Sequence, residues 1–165
     1  QDSGGLGYSD REMNLRFVQS ETSYRPQPSD LYWKIAVSVP NIELAYQQLM
    51  ARGARVSVPH QFRDVGYLAH VTDPEGFTVE LIEHWFQGDR PSQSVDKTLL
   101  GGGPHISLLT LRTADLASVE RDLLAAGMTP LDVQPVEPYG FTLYFYGFTQ
   151  ETPPDPDLTA IENRT

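Results

Sequence analysis

Lys34-Ile35-Ala36-Val37-Ser38-Val39-Pro40-Asn41 and its sequel, Asp73-Pro74-Glu75-Gly76-Phe77-Thr78-Val79-Glu80-Leu81-Ile82, decide the fold. The first stretch alternates strictly and is rich in β-branched residues, so it reads as a strand. Pro40 stops it. Asn41 is placed to cap a following helix with its side-chain oxygen. Over Ile42–Arg52, Ile42, Ala45, Leu49 and Met50 make one apolar stripe at helical spacing. Gly53 suits the residue just past the helix, where the backbone turns left-handed. Three strand-like stretches follow: Arg55–Val58, closed by Pro59; Gly66–Thr72; and Phe77–Glu83. The last two are joined by Asp73-Pro74-Glu75-Gly76, a turn sequence with Pro second and Gly fourth. The order is β, α, β, β, β within residues 32–87.

Working outward, the pattern restarts. Ile106–Thr113 reads as a strand, Asp115 as a helix cap, and Leu116–Ala126 as a helix closed by Gly127. Ile42, Ala45, Leu49, Met50 and Gly53 align with Leu116, Val119, Leu123, Leu124 and Gly127, which reads as an internal repeat. The second copy continues into Phe141–Phe148, a strand, and a solvated acidic loop at Glu151–Asp157. It stops at Thr165 before a final strand. On the other side, Met13–Val18 reads as a strand with Met13, Leu15 and Phe17 on one face. The expected organisation is therefore a module tail at 1–20, a linker at 21–31 carrying Pro26 and Pro28, and a complete module at 32–87. A Gly-rich linker at 88–104 and an incomplete module at 105–165 follow.

Composition narrows the functional classes. The chain has 165 residues, 39% of them hydrophobic, enough for a real core. The net charge of −10 argues against nucleic-acid binding, which calls for a basic patch. The longest apolar runs are too short to cross a bilayer, so no membrane partner is expected. The absence of cysteine excludes disulfides and thiolate chemistry. The polar, Gly-rich start has no apolar core of a signal peptide, which leads to a cytoplasmic expectation.

The stretch 34–41, the helix up to Gly53 and the segment 73–82 resemble a module of the vicinal oxygen chelate superfamily, the glyoxalase, bleomycin resistance and dioxygenase-like proteins. Within it, residues 32–87 resemble the second half of glyoxalase I (lactoylglutathione lyase), and residues 105–164 resemble the first half. The resemblance implies an α+β fold in which tandem βαβββ modules pair their mixed β-sheets into a cup-shaped barrel, within the chain or in a homo-oligomer. It also implies a small-molecule ligand and one divalent metal (Zn, Ni, Fe or Mn) held by the first and last strands of each module. Glu80 matches the last-strand Glu, with Thr78, Ile82 and His84 sharing its face. The first-strand position is Lys34, an ammonium without a lone pair. Its counterpart in the next module is Leu108. Arg16 stands at the last-strand position of the leading fragment. Of these four positions only Glu80 keeps a metal donor.

The candidate residues follow from this comparison. Glu80 and Lys34 are expected to meet, either as base and fixed cation on a substrate or as a plain buried ion pair. Glu80, His84 and His105 are the candidate metal ligands; His105 lies an odd three residues before Leu108 and is expected on the opposite face. Arg16, Lys34 and Thr78 are the candidate substrate contacts. His60 and His70 are expected in surface or hydrogen-bonded roles. Trp33, Trp85 and Phe86 are expected to pack module on module, and Tyr144, Phe145 and Tyr146 to pack a core rather than line a pocket. Two functions remain open. One is a lyase, isomerase or dioxygenase acting on a small oxygen-rich metabolite, with a metal or with none. The other is a non-catalytic binding or scaffold protein, alone or as a subunit of a larger assembly.

Overall fold

The computed structural model describes residues 5–6, 15–63, 66–84 and 96–149. Met13, Trp85, Phe86 and the acidic loop at 151–157 lie outside the described residues. The chain divides into two compact units, Gln1–Arg112 and Thr113–Thr165.

The first unit opens with β1 (Gly5–Leu6) and β2 (Leu15–Arg16), which pair antiparallel as a two-stranded sheet of their own. Then come β3 (Tyr32–Val39), α1 (Ile42–Ala51), β4 (Arg55–Val56), β5 (His60–Phe62), β6 (Gly66–Thr72), β7 (Thr78–Glu83) and β8 (His105–Leu111). The five main strands run in the order β4-β6-β7-β3-β8, and β5 also pairs with β6. β3 and β7 are parallel while the other pairs are antiparallel, so the sheet is mixed; it curves without closing.

One face of this sheet carries α1. Val37 and Val39 of β3, Ala69 of β6 and Leu81 of β7 pack with Ile42 and Ala45 of the helix, and Leu49 and Leu100 close the cluster. Asn41 caps α1 as expected: its Oδ1 accepts from the Leu44 N–H at 3.0 Å. The buried Glu83 accepts from the Ile42 N–H at 3.2 Å, placing a negative charge at the positive end of the helix. Met50, assigned to the apolar stripe, is instead 50% exposed, because the buried stripe is narrow and centred on Ile42 and Ala45. Residues 96–104 follow a defined path against α1, with Gln48 Oε1 accepting from the Leu100 N–H at 2.7 Å.

The Asp73–Gly76 turn is built by one carboxylate. Asp73 Oδ1 accepts from the N–H groups of Glu75, Gly76 and Phe77 at 2.7–2.9 Å, and Gly76 takes a φ of +101°, open to glycine at no steric cost. The strand expected over Arg55–Val58 is shorter, ending at Val56 as β4, and a further short strand, β5, follows after Pro59. Pro59 has no N–H for the ladder, and between the pieces Ser57 exchanges two 2.9 Å bonds with His70 through its N–H and Oγ.

In the second unit, α2 (Leu116–Ala125) is capped by Asp115, whose Oδ1 accepts from the Ser118 N–H at 3.1 Å. β9 (Thr129–Val136) and β10 (Phe141–Gly147) then form an antiparallel hairpin. β9 was not legible in the sequence because Pro130 and Pro135 interrupt it; a two-stranded hairpin tolerates both, since a strand with one open edge need not donate along it. Tyr146 donates to Glu120 of α2 at 2.8 Å, and burial together with that carboxylate pushes its phenol up to about 12.

Candidate functional site

Strand register places the candidate residues on the sheet face away from α1. Lys34, Ala36 and Ser38 of β3 stand beside Thr78, Glu80 and Ile82 of β7, which in turn stand beside Thr72, His70 and Leu68 of β6. Ala36, Leu68 and Ile82 are buried, with Phe62 and Leu108 packed over them. This apolar patch separates two polar groups.

The first group centres on Glu80, whose side chain is only 7% exposed. Lys34 Nζ pairs directly with Glu80 Oε1. His70 Nε2 reaches the same oxygen at 3.2 Å. Burial alone would raise the Glu80 carboxyl; the His70 hydrogen bond and the Lys34 charge outweigh it, and its pKa lies below the ordinary carboxylate range. Trp33 sits in a bulge of β3 opposite β8, which brings its ring beside Lys34: Lys34 Nζ and the Arg112 guanidinium each lie 5.0 Å from the ring centroid. Trp33 thus supports the site's two cations. Thr78 shares this face, in register with Lys34, and its carbonyl accepts from Tyr32 at 3.4 Å.

The second group is His84 and His105, whose ring centroids are 5.0 Å apart. The expectation that His105 faces away from Leu108 is overturned. A second bulge makes Ser107 an extra residue in β8, so Leu108 opposes Ala36 and His105 opposes Ser38. One inserted residue restores even parity and turns His105 to the same face as Leu108. Burial, followed by the neighbouring His105, lowers the His84 pKa below the ordinary imidazole value. Glu80 does not join this pair. Arg16 belongs to the separate β1–β2 sheet, where its side chain is exposed.

His70 is the site residue that sequence reading undervalued. The signal was present: a tight turn at Asp73–Gly76 sets Thr72 opposite Thr78, and hence His70 opposite Glu80. In the second unit, a shallow groove of about 560 Å³ is lined by residues including Pro135, Phe141 and Tyr144, and contains none of the candidates. Tyr144, assigned to core packing, is 43% exposed there, because alternation turns it to the outer face of a hairpin.

A crystal structure of glyoxalase I from Zea mays superposes on 89% of this chain with a TM-score of 0.67 at 16% sequence identity. The chain has the glyoxalase I fold. A mutant of the maize enzyme matches over 88% of the chain, with a TM-score of 0.65 and 18% identity. The chain spans about half the length of both, 49% and 48%. Methylmalonyl-CoA epimerase from Mycobacterium tuberculosis matches at 18% identity over 82% of this chain and 97% of its own, with a TM-score of only 0.42. No protein-family model matches the sequence, and no curated protein does. The vicinal oxygen chelate resemblance therefore holds for the fold. Among the described residues no helix is long and apolar enough to cross a membrane.

The residues around Glu80 do not fit the metal that the glyoxalase fold implies. The carboxylate is held by an ammonium, which repels a cation and has no lone pair to offer one. Among the described residues His70 is the one further donor on Glu80, and no three His, Asp or Glu side chains converge as a ligand set.

Proposed function

We propose that this chain is a small-molecule-binding protein with the glyoxalase fold that recognises a small, oxygen-rich acid through a fixed cation rather than through a metal at Glu80. One observation carries the reading: the Lys34 ammonium pairs with the buried Glu80 carboxylate, the residue that the family resemblance aligns with a metal ligand. Arg112, held against the same Trp33 ring, adds a second positive charge. Lys34 has three N–H donors, so its bond to Glu80 leaves capacity for a ligand carboxylate or enolate. His70, with its side chain 39% exposed, marks the way in from solvent.

The lowered pKa of Glu80 favours binding over catalysis. A general base works best with a pKa near the operating pH, and a carboxylate already paired with Lys34 and hydrogen-bonded to His70 has little affinity for a substrate proton. A metal-dependent lyase, isomerase or dioxygenase is the second reading. It draws on Glu80 and His70 as two adjacent donors, 3.2 Å apart.

Calorimetry with oxalate, pyruvate and catechol separates the two. The expected result is binding of the acids, weakened at least tenfold in Lys34→Met and unchanged in Arg16→Ala. Acid binding that is absent, or indifferent to Lys34→Met, overturns the proposal. One equivalent of tightly held metal that disappears in Glu80→Gln establishes the second reading instead.

A further inference from the structure

The second polar group has a chemistry of its own. His84 Nε2 is buried and has no hydrogen-bond partner among the described residues. In the tautomer protonated at Nδ1, Nε2 carries a lone pair with nothing to bind, which is the arrangement of a metal-ligating histidine.

His105 supplies the second imidazole. Two imidazoles bound to one tetrahedral ion at about 2.0–2.1 Å place their ring centroids roughly 5 Å apart. The observed separation is 5.0 Å with the rings tilted by 40°, an arrangement open to convergence and unlike a flat stack. The Ser107 bulge that turns His105 to this face is what creates the pair. The group is distinct from the Glu80 site. His84 lies four positions beyond Glu80, roughly 13 Å along extended chain, and the buried Ile82 lies between them.

We infer that His84 and His105 form a two-imidazole site for a borderline divalent transition metal of the copper, nickel and zinc class, completed by water or an exogenous oxygen donor. Neutral imidazoles select these ions over magnesium and calcium, which prefer oxygen ligands. The inference is independent of the acid-binding proposal, because Lys34, Glu80 and His70 take no part in it.

The test is titration of the purified chain with Cu²⁺, Zn²⁺ and Mg²⁺ alone. Cu²⁺ is read by electron paramagnetic resonance and Zn²⁺ by the histidine ring signals in ¹H–¹⁵N spectra. One equivalent of Cu²⁺ coupled to two imidazole nitrogens is expected, with Zn²⁺ shifting His84 and His105 and Mg²⁺ shifting neither. His84→Phe and His105→Asn each abolish stoichiometric binding, while Glu80→Gln retains it. Absence of stoichiometric binding, shifts confined to His60 or His70, or binding that survives both histidine replacements overturns the inference. Should His84→Phe fail to fold, the wild-type spectra and His105→Asn still decide.

Discussion

At the residue scale, Glu80 is held in place by charge. It is buried, and an enclosed carboxylate persists only when paired. Removing the charge with Glu80→Gln leaves Lys34, whose side chain is 13% exposed, without its counter-ion. A loss of about 3–5 kcal/mol in urea denaturation at neutral pH is expected, as for other broken buried pairs. The pH dependence has a definite sign. The folded pKa of Glu80 lies below the ordinary value of 4.5, so its contribution is fully present above that value and is lost as the pH falls from 4.5 through the folded pKa. Urea midpoints of wild type should drop across this window, and Glu80→Gln should show a shallower acid limb. Equal slopes would mean that Glu80 gains nothing from its partners.

At the element scale, helix caps and turns were the most legible features, because their rules are local. Asn41 and Asp115 both cap as their residue types dictate. Asn41→Ala is expected to cost about 1 kcal/mol by urea denaturation, with Asn41→Asp restoring most of it. No loss in Asn41→Ala would indicate that Glu83, at the Ile42 N–H, satisfies the helix end by itself. Strands were less legible. Alternation identified β3, β6 and β7, but nothing local announced the bulges at Trp33 and Ser107, which arise from fitting β8 against β3. They decide which side chains share a face, and hence the neighbours of His105.

At the scale of the whole molecule, the boundary between the compact units falls after Arg112, so β8 belongs with the β3-containing sheet. β8 covers the β3 edge, and Leu108 packs over Ala36 and Ile82. A chain ending at residue 112 should unfold cooperatively. One ending at residue 104 exposes the β3 edge and uncovers that apolar patch, and should aggregate or lose cooperativity. Denaturation curves and light scattering of the two truncations check this, and equal behaviour would show that β8 is dispensable.

The sequence by itself determined the order β, α, β, β, β, the caps of both helices, the turn at Asp73–Gly76 and the meeting of Lys34 with Glu80. All of these follow from spacing within a segment, or from a module pattern that sets the first and last strands side by side. The tertiary structure alone decided that Arg16 lies on a separate sheet and that His84 and His105 form a pair apart from Glu80. Those outcomes depend on register and bulges between strands distant in the chain. A single inserted residue there reverses which face a side chain occupies, and no periodicity within one strand records it.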